Sequence, residues 1–333
     1  MDKDFLTYNQ QMKYLRNSKK IACNGSSHKT LLVKSGYFNL VNGYKTPFCT
    51  GKDAESHHTY AKGTTIDELY SLKVFDDDLR ILLFKYITKI EQEIRALSAY
   101  TFDNINRSNS LTWFNVTAYR SVDNMSDVIK LISKIYSELS KSKHNYVQNY
   151  LNNHKSIPTW IMIKVISFSN LIDFIDLGNK KIKDNLCELY GMTRPDRTYN
   201  HKLLIGSLQW LRTIRNSCAH NERVFDINLP DQRIKDSYFD LMAPSYNKGR
   251  NKTIIDAIIY FKYFLPHETF KVFIDEFKSL MLDLKNNLQP NSFDRVRAAL
   301  GIKNVLHLDY LLLNPNNIMY NFHSWQYNRT SVQ

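Results

Sequence analysis

The sequence predicts an all-α protein on three observations. Apolar residues recur at helical spacing over long stretches, most clearly at Leu79, Leu83, Ile87, Ile90, Ile94 and Leu97. No internal repeat and no strand-turn-strand series breaks that pattern. Prolines and capping signals fall at the edges of the periodic stretches. With 333 residues and 43% apolar content, the chain can bury a substantial core as one large domain or two small ones.

Residues 1–63 read as a basic N-terminal region. A first helix carries Lys13, Arg16, Lys19 and Lys20, and Gly25-Ser26-Ser27 makes a loop. The stretch 31–45 reads as a short helix ending in a turn. Its Lys34, Tyr37, Tyr44 and Lys45 either meet RNA or, for the two aromatics, pack against the main domain. Thr65-Ile66-Asp67-Glu68 has the form of a capping box and opens a long helix to about Phe102. Glu91 and Arg95, four apart, share a face of it, as a surface ion pair or as a pair that orients a site elsewhere.

Residues 103–127 are rich in Asn and Ser and read as a connection. A helix from Asp127 to about Tyr150 bears the basic group Lys141, Lys143 and His144. Pro158 starts the next helix, which runs through Trp160, Ile163, Phe168 and Ile175 to about Gly178. It is apolar nearly all round, so it is expected to be the central buried helix. Lys180, Lys181 and Lys183 form a basic run at a helix start. Two helices divide at Leu265-Pro266, a short helix follows Pro290, and an aromatic tail spans 325–327. The domain reading is a basic region 1–63, a helical domain 64–288 and a C-terminal helical tail 289–333.

Residues 199–223 hold no proline, and Leu203, Leu204, Trp210, Leu211, Ile214, Cys218 and Phe225 fall on one arc at helical periodicity. On the opposite side Arg212, Asn216, His220 and Arg223 form a stripe, with Arg215 flanking it. An arginine and a histidine five positions apart have a specific chemical use. Histidine exchanges a proton near neutral pH, and the guanidinium stays charged and grips a phosphate through two donors. Cleavage of RNA by its own 2′-hydroxyl needs both services, a base for the hydroxyl and positive charge for the phosphorane. The plainer reading makes His220 the end of a helix and the arginines its solvated face.

Charge adds to the chemical reading. Forty-five basic against thirty-two acidic residues leave +13, which suits an anionic partner, and 21 tyrosines and 18 phenylalanines are available to stack on unpaired bases. RNA is therefore the expected partner, through Lys19, Lys20, Lys34, Lys45, Lys141, Lys143, Lys180, Lys181 and Lys183. The start of the chain lacks a basic segment followed by an apolar run, and residues 254–265 are interrupted by Asp256 and Lys262, so no membrane is expected and the location is read as cytoplasmic. Cys23, Cys49, Cys187 and Cys218 are scattered, Cys49 with His57 and His58 has irregular spacing for a metal, and no glycine-rich phosphate loop is present. Neither a metal nor a cofactor is expected.

Taken in order, these features resemble the Abi-like family of bacterial abortive-infection proteins, built on a HEPN-type helical domain. Arg215-Asn216-Ser217-Cys218-Ala219-His220 matches its Arg-x(4 to 6)-His motif, with a polar residue after the arginine. Residues 34–48, rich in Gly and Tyr, resemble its N-terminal segment, 75–95 its first long helix, and 158–169 its central helix, although Ser169 stands where glycine is expected. The likeness covers about 30–285. It implies a metal-independent endoribonuclease toxin with a site completed by a homodimer. Arg215 would stabilise the phosphate, His220 would move the proton and Asn216 would orient, with Glu91, Arg95, Arg212 and Arg223 in support. Some relatives are restrained by a small non-coding RNA, for which the basic N-terminal region is the expected binding site. The alternative is a HEPN-like RNA-binding module without catalysis.

Overall fold

A computed structural model describes residues 5–119, 125–154, 156–194, 196–229 and 253–312, and among these the fold is all-α. The helices are α1 (Tyr8–Asn17), α2 (Gly25–Ser35), α3 (Ile66–Asn106), α4 (Met125–Lys141), α5 (Asn145–Asn153), α6 (Thr159–Val165), α7 (Phe168–Leu177), α8 (Lys180–Leu189), α9 (His201–Ala219), α10 (Ile254–Phe264), α11 (His267–Asn287) and α12 (Pro290–Leu300). The basic loop expected over 247–252 and the aromatic tail expected over 325–327 lie outside the described residues.

The 41-residue α3 is the axis of the molecule. The capping box forms: Thr65 Oγ1 accepts the Glu68 amide at 3.1 Å, and Glu68 Oε2 accepts the Thr65 amide at 3.0 Å. The other Glu68 oxygen accepts the Gln289 amide at 2.9 Å, so the same carboxylate ties the start of α3 to the start of α12. Leu69, Leu72, Leu79, Leu83, Ile87, Ile90 and Ile94 are buried along α3, which packs against α6, α8, α9 and α11. One hydrophobic cluster runs from Met12 to Leu311. The buried arc of α9 is as expected at Leu203, Leu204, Trp210, Leu211 and Ile214.

Several expectations about element boundaries are corrected. The expected central helix from Pro158 to Gly178 is two helices, α6 and α7, because Ile166 leaves helical geometry and Ser167 caps α7 by accepting the Asn170 amide at 3.3 Å. Periodicity runs on through a cap, so spacing alone does not reveal the break. The helix expected over 127–150 is likewise divided, between α4 and α5. Gly25-Ser26-Ser27 opens α2 instead of forming a loop. A small antiparallel hairpin, β1 (Cys49–Lys52) with β2 (His58–Tyr60), occupies a region read as free of strands. Its strands are too short to show the alternation that betrays longer ones.

Gly178 makes the corner between α7 and α8 possible. A Cβ there would lie 2.6 Å from the Phe174 carbonyl oxygen and 2.9 Å from Ile182 Cδ1. Lys183, one turn further, is 2% exposed, and its ammonium binds the Asp176 carbonyl oxygen and lies 3.2 Å from Asp176 Oδ1. It caps the C-terminal end of α7. The expectation that Lys183 meets RNA is therefore corrected.

Candidate functional site on the α3 and α9 seam

The C-terminal end of α9 is fixed by its backbone. Asn221, at φ +58°, takes the left-handed conformation that asparagine tolerates, its amide donates to the Cys218 carbonyl at 3.2 Å, and the Glu222 amide donates to Ser217 at 2.8 Å. This pair of bonds is a Schellman motif, and it leaves His220 as the C-cap residue. The expected helix 199–223 is thus shorter, His201–Ala219, and Arg223 lies beyond it.

The two arginines expected on the exposed stripe and the one expected to flank it go to three different places. Arg212 donates to Ser169 Oγ on α7 at 3.2 Å. Arg223 donates to Asp226 Oδ1 at 2.7 Å and to the Gly43 carbonyl, with its guanidinium 5.6 Å from the Phe225 ring centroid. Arg215 turns toward α3, where its Nε lies 3.4 Å from Glu91 Oε2.

Glu91 is buried, and its other oxygen accepts from Arg95, which also donates to the Ile163 carbonyl on α6. The structure therefore brings Arg215, Glu91 and Arg95 together across the seam, with one carboxylate facing two guanidinium groups. The Arg215 Nε is buried within ion-pair distance of Glu91, yet it makes no hydrogen bond. Its Nη1 donates to Asn216 Oδ1 at 3.3 Å. Asn216 and His220 are exposed, and the His220 imidazole has no side-chain partner among the described residues. Burial pushes the neighbouring Cys218 thiol up to about 12, so it is not a thiolate near neutral pH and the histidine has no thiolate nucleophile beside it.

A second network lies next to this end and was not singled out as a site from sequence. Asp76, fully buried on α3, accepts the Val224 and Phe225 amides at 3.0 and 2.8 Å on Oδ1, and the Tyr44 hydroxyl at 3.0 Å together with Arg80 on Oδ2. Arg80 also binds Asp77 and donates to Asn221 Oδ1 at 2.9 Å. Tyr44 accordingly packs and bonds inside the protein, the reading favoured for it over RNA contact. The four-residue spacing of Asp76 and Arg80 was the available signal, but spacing could not show that their partners lie near residues 44 and 221–225.

The other lysines expected to meet RNA are dispersed. Lys20, Lys34, Lys141, Lys143, Lys180 and Lys181 are exposed, and Lys19 and Lys45 are partly so, with Lys19 Nζ 5.5 Å from the Tyr14 ring centroid. On the hairpin His57 lies 3.5 Å from Glu55 and 3.7 Å from Asp53. Among the described residues no helix is long and apolar enough to cross a membrane.

The family model described as Abi-like protein matches residues 30–226, a span that holds Tyr44, Asp76, Arg80, Glu91, Arg95, Arg215 and His220. Comparison with curated proteins and with solved structures finds no match.

Proposed function

The chain belongs to the family of Abi-like proteins, which suggests a function in abortive infection, and from that premise we propose that it is a metal-independent endoribonuclease toxin of HEPN type. The observation that carries this reading is the end of α9. There Arg215 sits beside a buried carboxylate with its side chain 33% exposed, and His220 is presented on a fixed turn with its imidazole exposed.

Neutral His220 takes the proton of a 2′-hydroxyl, and that oxygen attacks the adjacent phosphorus. The bond to the 5′-oxygen breaks, leaving a 2′,3′-cyclic phosphate and a 5′-hydroxyl once that oxygen gains a proton. Arg215 stabilises the charge on the phosphorane, and Asn216 orients the phosphate. Glu91, held also by Arg95, keeps the Arg215 guanidinium in place. One motif supplies one base and leaves the departing oxygen without its acid, so the site is completed in a homodimer by a second copy of His220. The exposed lysines of the N-terminal region bind RNA, including a small non-coding RNA that restrains the toxin.

The test is cleavage of RNA by purified wild-type, Arg215→Ala and His220→Ala proteins in the presence of a chelator. The wild type should cleave and leave cyclic phosphate ends, and both variants should be inactive. Wild-type rates from both variants would overturn the assignment.

A further inference from the structure

A groove of about 930 Å³ runs between α3 and α6, with Arg95 in its lining. Its volume lies within the roughly 300–1,000 Å³ of clefts that hold organic ligands. Ala96, Ala99 and Ile163 line its apolar part. At its edge stand Tyr100, 70% exposed, and Trp160, 58% exposed, and neither ring stacks on another among the described residues. Exposed rings grouped at one groove, unlike apolar residues scattered singly, mark a candidate interaction site.

The charges identify what covers it. Arg107 lines the groove, and its guanidinium has no partner among the described residues. Lys164, also exposed, has its ammonium 5.1 Å from the centroid of the Tyr146 ring and free of any carboxylate among the described residues. Asp103, the one carboxylate in the lining, accepts the Thr159 hydroxyl at 2.5 Å, and burial raises its pKa. Two available cations beside two unstacked rings suit a ligand that alternates flat bases with phosphates.

We propose that this groove is a binding site for an unpaired segment of the substrate RNA, its bases stacked on Trp160 and Tyr100 and its phosphates met by Arg107 and Lys164. The proposal rests on the nuclease reading of Arg215 and His220. Substrate is the occupant because Arg95 lines the groove and also binds Glu91, whose other oxygen faces Arg215. A strand lying in the groove is thereby separated from the catalytic arginine by the Arg95 and Glu91 side chains alone.

Binding of a short fluorescein-labelled oligouridylate to full-length His220→Ala protein, which should not cut it, tests the proposal by anisotropy. Adding Trp160→Ala should weaken affinity by about tenfold or more, Tyr100→Ala should also weaken it, and Trp160→Phe should keep most of it. In the cleaving protein Trp160→Ala should raise KM and leave kcat nearly unchanged. Unchanged affinity in both alanine variants overturns the groove, and if the wild type still cleaves, the Arg215 and His220 assignment stands. Faster cleavage or greater toxicity in Trp160→Ala also overturns it, because the occupant is then a restraining RNA. So does a shift to monomer by sedimentation with RNA affinity intact, since the groove then holds a second copy. If the wild type never cleaves but the ring variants still lose binding, the groove stands and the nuclease reading falls. Should Trp160→Ala fail to fold, exposed Tyr100→Ala decides.

Discussion

Along the seam between α3 and α9 two polar clusters sit one after the other, and they differ in how fully they are satisfied. Around Asp76 a buried carboxylate takes two backbone amides, a tyrosine hydroxyl and an arginine, which joins residue 44, α3 and the turn after α9. At the end of α9 Arg215 has a buried Nε without a hydrogen bond, and His220 stands open to solvent. The Arg215 Nε faces Glu91 and is closed to solvent, so what this cluster leaves open is the rest of the part-exposed Arg215 side chain and the His220 imidazole. The closed cluster fixes the turn from which the open one projects. Structure and chemistry are thus divided between neighbouring clusters, and the division can be broken experimentally.

The largest effect is expected at Asp76. Asp76→Ala leaves Arg80 with only the part-exposed Asp77 as a carboxylate partner and two buried amides without an acceptor, at a cost of about 3–5 kcal/mol. Urea denaturation followed by circular dichroism should show it as a large fall in midpoint with the slope unchanged. A loss below about 1 kcal/mol would mean that the cluster does not hold the turn.

The opposite pattern is expected at the open end. His220→Ala should lower cleavage on the order of a hundredfold or more and leave the denaturation midpoint unchanged, because its side chain is exposed and unpartnered among the described residues. Arg215→Ala should lose as much activity, with some loss of stability because Glu91 keeps only Arg95. If His220→Ala also unfolds the protein, the contrast between the clusters is wrong.

Sharing of the site between copies gives a smaller signal. Inactive Arg215→Ala and His220→Ala proteins, mixed and allowed to exchange subunits, should recover a fraction of wild-type cleavage when the intact groups meet across a dimer. A wild-type protein that sediments as a monomer and cleaves at full rate would contradict sharing.

The parts legible in sequence were those governed by local rules. The capping box at Thr65 and the buried arc of α9 follow from residue type and periodicity, and both stand as expected. The break between α6 and α7 was hidden because one serine cap interrupts a hydrophobic pattern without changing its phase. At the site, Arg215 and His220 were legible as a motif, and Glu91 with Arg95 as a spacing. Where the arginines point was not legible, because a helical plot assigns a face and leaves out what packs on it. Arg212 and Arg223 sit on the plotted stripe, but the first reaches α7 and the second reaches Gly43. Asp76 escaped notice for the same reason, since its partners are 32 and about 150 residues away in the chain.

Lys180 and Lys183 give the finest version of the contrast, because they lie three apart on α8 and are alike in sequence. Lys180 is exposed, so Lys180→Gln should leave stability unchanged and weaken RNA binding slightly, lowering the log-log salt slope by roughly 0.7 if it contacts one phosphate. Lys183 is buried against Asp176, so Lys183→Gln should cost about 1–3 kcal/mol of stability and leave the salt slope of the folded protein unchanged. The glutamine removes the charge but retains a donor of shorter reach, which keeps the loss below that of deleting a paired ion outright. Anisotropy titrations at several salt concentrations, paired with urea curves, measure both quantities on each variant. A salt slope that falls in Lys183→Gln would show that this lysine leaves its cap to meet RNA, and the distinction between the two lysines would fail.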